Sequence, residues 1–289
     1  MPGPKTGASL RRIFKNKALL FGGGLLLVML FVAVFAPWLA PHDPYGQDLA
    51  NRTIPPFWYA KGSWLHPLGT DQLGRDYLSR LIYGARISLL IGASVAVISG
   101  LIGTTMGMLA GYFGGKTDML VSFIVTTRLA MPLILVALAT VAILGGSLWV
   151  IIGVLGLLKW DRFAVVMRSA TQQVRSLEYI SAAQAAGAST FRIIIGEVLP
   201  NVIPHLIVIA TLEAASAILL EASLSFLGLG VQPPLPSWGL MISEAKSYMF
   251  FSFWLIAIPG GALALLIFAI NLAGDGLHEA LTPHERAGA

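Results

Sequence analysis

The chain alternates long apolar runs with shorter polar stretches, and the runs are of membrane-crossing length. A helix rises about 1.5 Å per residue, so roughly 20 mostly apolar residues cover the ~30 Å hydrocarbon core of a bilayer. Six runs approach that length, at about 19–39, 85–111, 119–144, 147–167, 203–222 and 252–274. They predict helices, because a segment in lipid must satisfy its own backbone N–H and C=O groups. Pro37 and Pro41 stop the first run, and a polar, Pro-rich stretch follows to about residue 83. Lys159, Asp161 and Arg162 interrupt the fourth. The pattern predicts an all-α, polytopic membrane protein with about six transmembrane helices. Its parts are a tail at 1–18, a first helix at 19–39, a loop at 40–84, a five-helix core at 85–275 containing a polar loop at 168–202, and a tail at 276–289.

Composition agrees with the pattern. Hydrophobic residues make up 56% and charged residues 11%, against ~45–50% and ~25% in soluble domains. The net charge of +5 is spread along the chain, with no basic domain or stripe, so nucleic acid is not expected as a partner. There is no cysteine, which excludes disulfides and thiolate metal sites. The first run exceeds the ~7–15 apolar residues of a cleaved signal, so it reads as a retained span.

Charge in short flanks sets orientation. Lys5, Arg11, Arg12, Lys15 and Lys17 precede the first span without an acid, which places that tail in the cytoplasm. Six spans return the other terminus to the same side. The 168–202 loop, with Arg168, Arg175 and Arg192, then also lies inside. One feature resists: the 41–83 loop carries Arg52, Lys61, Arg75 and Arg80, yet falls outside.

Within the spans, Gly103, Gly107 and Gly111 recur every four residues, with Gly100 nearby, a spacing that lets helix backbones approach closely. Glu213 and Glu221 lie eight apart and share roughly one helical face. Charges in spans are costly and usually face the protein interior. These two glutamates are candidates for lining a translocation path or pairing with a basic group, and Arg128 is a candidate partner. The plainer reading of Glu221 is a local hydrogen bond near the membrane edge. Trp38, Trp149, Trp238 and Trp254 near span ends suit interfacial anchoring.

The most informative polar segment is EYISAAQAAGASTFRIIIGEVLPN, Glu178 to Asn201. Its Ala-rich start predicts a short helix over 178–186 that ends at Gly187. A second helical run is predicted over 189–199, ending before Pro200. A short helix with a nearly bare Ala face suits insertion into a groove on a partner. An ordinary loop helix is the alternative.

This segment resembles the EAA loop of permease subunits of ATP-binding-cassette importers. The family pattern is E-A-A, three residues, Gly, then about nine residues to I-x-L-P. Ala182, Ala183, Gly187 and Leu199-Pro200 match, whereas Ser181 stands at the family's Glu. Three further segments resemble the peptide and nickel permeases of that family: HPLGTDQLGRDYLSRLIYGARISLLIG (66–92), EASLSFLGLGVQPPLPSWGLMI (221–242) and NLAGDGLHEALTP (271–283). The PHDP at 41–44 is similar to the C-type dipeptide and oligopeptide subunit. Thr126, where the family often has Asp before Pro132, departs from it.

The resemblance implies a type I importer permease fold in the bacterial inner membrane. It implies docking of Ser181, Ala182, Ala183, Gly187 and Ala188 on an ATPase subunit. It also implies partners: a homologous second permease, one or two ATPase subunits, and an extracytoplasmic substrate-binding protein. The implied cargo is a di- or oligopeptide, with nickel or glutathione as alternatives. The chain has no G-x-x-x-x-G-K-[ST] phosphate loop, so ATP and Mg are expected on partner subunits and no cofactor on this chain. No H-E-x-x-H or G-x-S-x-G pattern suggests an enzyme. The rival of another class is a stand-alone secondary transporter, but no repeat relates the chain's halves.

Overall fold

The computed structural model describes residues 16–281. The basic residues Lys5, Arg11, Arg12 and Lys15, and the ending from 282 with Pro283, lie outside the described residues. Ten helices carry the architecture: α1 (Lys17–Val34), α2 (Tyr77–Phe113), α3 (Gly115–Leu129), α4 (Leu133–Leu144), α5 (Leu148–Leu158), α6 (Trp160–Arg175), α7 (Glu178–Ala185), α8 (Leu199–Phe226), α9 (Trp238–Ala245) and α10 (Trp254–Leu281). Shorter helical turns join them, and no strand is formed among the described residues.

The 37-residue α2 is the axis of the fold. At 1.5 Å per residue it is about 55 Å long. Asp76 caps its start by accepting from the Ser79 N–H. At that end Tyr77 packs edge-on against Trp254, and its hydroxyl donates to the Leu255 carbonyl. At the other end Tyr112 accepts a hydrogen bond from Gln184 in α7. The loop at 41–76 and α7 therefore mark opposite ends of the bundle. The start of α1 lies at the α7 end with the close of α10, where Asn16 Nδ2 donates to Glu279.

The glycine stripe of α2 is a helix–helix seam. A Cβ on Gly103 would lie 2.3 Å from the Trp160 carbonyl oxygen, one on Gly107 2.5 Å from that of Ala164, and one on Gly111 2.6 Å from that of Arg168. Both helices advance by four residues per contact, so α2 and α6 run parallel with their backbones touching. The buried face of α6 repeats at helical spacing, through Phe163, Ala164, Met167, Ala170 and Val174.

Four helical runs are individually long and apolar enough to span a membrane: Lys17–Val34, Tyr77–Phe113, Thr190–Phe226 and Trp254–Ala280. The expected third span is bent by 80° between α3 and α4, which makes a fifth run if the pair is one span. Pro132 supplies no N–H there and disfavours helix at the residue before it. The expected fourth span is not one helix. It breaks at Lys159, where α5 ends and the amphipathic α6 begins. Among the described residues, four continuous runs, or five with the bent α3–α4 pair, thus stand beside the expected six or so, roughly consistent with that number.

The expected helix stop at Pro200 is also absent. Residues Ile194–Val198 form a π-helical turn that leads into α8, and Leu199 N–H reaches back five residues to the Ile194 carbonyl. The wider turn accommodates a proline that lacks a donor and would crowd the carbonyl four residues before it.

Candidate functional site

The Ala-rich segment forms α7, whose last turn closes with hydrogen bonds from Gly187 N–H to Gln184 O (3.0 Å) and from Ala188 N–H to Ala183 O (3.1 Å). This pairing is the Schellman arrangement, which requires a left-handed residue just past the helix. Gly187 fills it with φ +80°. Ile180 anchors α7 from beneath, buried among Met108, Tyr112, Met167 and Ile193. Ser181, Ala182, Ala186 and Gly187 are exposed, and Ala183 and Ala188 are half-buried. A Cβ added at Gly187 would meet nothing in this chain. The segment is held firmly on one side and bare on the other. A groove lined by Ala183, Gly187, Arg192 and Glu197 runs beside it. Sequence reasoning missed Phe191, 76% exposed in the helical turn that follows α7, because it lay within an apolar run.

A second charged centre lies where α5 and α6 part. Lys159 Nζ stands 2.6 Å from Glu213 Oε2, and both side chains are almost fully buried. The ammonium also donates to Ser216 Oγ at 2.8 Å. Exposed Arg162 lies 3.6 Å from the other Glu213 oxygen. Arg128 is not the partner of Glu213. Its Nη2 donates to the Leu158 carbonyl at 2.6 Å, supplying the bond that the helix break leaves open. Asp161 Oδ1 accepts from Arg162 N–H in the first turn of α6, just after the break. Glu221 is fully buried and accepts from Ser225 Oγ and Ser237 Oγ at 2.7 and 3.0 Å. Ser237 in turn caps α9.

A third centre joins the opening of α2 to α9. Asp71 Oδ2 accepts from Arg75 Nε (2.6 Å) and Arg80 Nη1 (3.0 Å), and Glu244 Oε2 accepts from Nη2 of both arginines (2.9 and 2.8 Å). Both arginines are buried. Two of the four basic residues that opposed an outer position for the 41–83 loop are therefore neutralised inside the fold. The positive-inside tendency counts charges that stay in the aqueous flank, and these do not.

The comparisons with known proteins bear on the family and the fold. Residues 103–287 match the family described as binding-protein-dependent transport system inner membrane component. Residues 7–56 match the N-terminal TM domain of oligopeptide transport permease C. A di/tripeptide transport system permease protein of Pseudomonas aeruginosa is 44% identical over 93% of this chain and 88% of its own length. A dipeptide transport system permease protein of Escherichia coli K12 is 43% identical over 93% of this chain and 90% of its own. Among solved structures, the MetNI methionine ABC transporter in inward-facing conformations superposes with a TM-score of 0.59 at 21% identity, covering 70% of this chain and 96% of that one. That likeness speaks for the fold. The chain belongs to the family of binding-protein-dependent transport system inner membrane components, as a multi-pass permease subunit of an ATP-binding-cassette importer.

Proposed function

We propose that this permease forms half of a pore for di- or oligopeptides and is driven by separate ATPase subunits docked on α7. The carrying observation is the form of Glu178–Ala188: a short Ala-faced helix, closed by a left-handed glycine, anchored through Ile180 and otherwise bare. The motor's closure on ATP moves this helix, and α6 and α8 carry the motion into the spans. The peptide cargo rests on the names of the relatives. ATP and Mg belong to the partners, since this chain carries no phosphate loop.

A homologous permease completes the pore, and a substrate-binding protein delivers cargo at the end marked by the 41–76 loop. Both termini then lie in the cytoplasm with α7. Around the path, Glu213 with Arg162 beside it and Arg128 are the charged candidates. Glu221 is tied down by two serines and serves to hold α8 against α9. The test is purification of the tagged chain from its own membranes. ATPase subunits that co-purify, with ATP-dependent dipeptide uptake after reconstitution, are the expected result. Full uptake by this chain alone would reject the reading.

A further inference from the structure

Three side chains, from His42, His66 and Asp76, meet at the end of the bundle opposite α7. Asp76, buried at the start of α2, presents Oδ1 to His66 Nδ1 at 2.8 Å and to His42 Nδ1 at 3.6 Å. One ligand atom from each of the three residues lies within 4.8 Å of those of the other two. His42 Nδ1 is buried and makes no hydrogen bond. It is aimed at a carboxylate too distant to accept from it. The imidazoles pack face to tilted face, with centroids 4.8 Å apart.

The 2.8 and 3.6 Å separations from Asp76 Oδ1 bracket those of two donors around one small cation. Two ligands each ~2.0–2.1 Å from a metal are about 2.9 Å apart at a right angle and about 3.3 Å apart at the tetrahedral angle. The surroundings hold the set in place. The second Asp76 oxygen accepts from Ser79 N–H and Oγ–H at 2.8 and 2.7 Å. That same Ser79 Oγ accepts from the His42 N–H at 3.0 Å. His66 precedes Pro67, and its carbonyl accepts from Gly69 N–H at 2.8 Å in a tight turn.

We propose that His42, His66 and Asp76 form a binding site for a borderline divalent transition-metal ion, of which Zn2+ is the representative. Two imidazoles and one carboxylate favour such ions over Mg2+ and Ca2+, which take oxygen ligands. The ion occupies the place of the proton between His66 Nδ1 and Asp76, that proton residing on Nε2 in the metal-bound form. It also gives the orphaned His42 nitrogen a partner. The site joins the segment after the first span to the start of the second and clips α1 to the core at this end. This proposal does not depend on the nature of the cargo.

The test uses the full chain in detergent, without a histidine tag and stripped with EDTA. Zn2+ is titrated by calorimetry, and Co2+ by its visible absorption. The expected result is saturable binding of one equivalent of Zn2+, with affinity reduced by about tenfold or more in His42→Gln and His66→Gln and unchanged in His205→Gln. His42→Gln is the decisive variant, because this imidazole makes no hydrogen bond whose loss would disturb the loop. No saturable binding by the wild-type chain, binding that survives His42→Gln, or binding lost in His205→Gln would overturn the proposal.

Discussion

Lys159 and Glu213 form a buried ion pair with 2.6 Å between Nζ and Oε2, and they meet where the chain breaks between α5 and α6. The break brings the lysine to the glutamate, and Arg128 and Asp161 satisfy the backbone groups it frees. Removing one partner of such a pair leaves a buried charge uncompensated, at a cost of about 3–5 kcal/mol. Lys159→Met and Glu213→Leu alone should each destabilise the chain by that order, while the double variant should cost clearly less than the sum. Unfolding in detergent across the four proteins of this cycle checks the coupling.

The α2–α6 seam predicts a contrast between glycines. Gly107→Ala places a methyl carbon 2.5 Å from the Ala164 carbonyl, against rigid backbone, whereas Gly23→Ala and Gly153→Ala meet nothing. Overpacking at the seam should cost about 1–3 kcal/mol or more. The other two should be neutral or slightly stabilising, since alanine is the better helix former. Thermal melting of the three variants measures the difference.

The Asp71–Arg75–Arg80–Glu244 clasp predicts both a loss and a pH dependence. Arg80→Met should cost about 3–5 kcal/mol at neutral pH, because it strips a partner from buried Asp71 and half-buried Glu244. Burial pushes the Glu244 carboxyl above the ordinary glutamate range, with Arg75 pulling the other way. A carboxyl whose folded pKa exceeds its unfolded value is better tolerated when protonated. Its contribution to stability therefore rises as pH falls through the folded pKa, and the rise is complete below the unfolded value of about 4.3. Whatever the offset at neutral pH from leaving Arg75 and Arg80 short of a carboxylate, the stability of Glu244→Gln relative to wild type should fall as the pH is lowered. Melting curves from about pH 8 to about pH 4 read this directly.

Most of the architecture was legible because lipid-length apolar runs and a four-residue glycine repeat are strong signals. Gly187 was legible for a local reason: only a residue free to adopt positive φ closes the Ala helix in this way. What escaped was tertiary in origin. Lys159 read as an interruption of a span, and its buried partner lies 54 residues on. Pro200 read as a stop, because a π turn that absorbs a proline has no sequence signature. Arg75 and Arg80 read as free charge in a loop, although Glu244, which neutralises them, comes more than 160 residues later.

The central claim is that the exposed face of α7 receives the ATPase. Ala182→Trp tests it most directly, since Ala182 is exposed and the substitution leaves Ile180 and the Gly187 turn in place. ATPase co-purification and ATP-driven dipeptide uptake should be measured on this variant after its melting temperature is shown to match wild type. Loss of both, in a chain that remains folded and inserted, is the predicted result. Unchanged ATPase association with undiminished uptake would contradict the account.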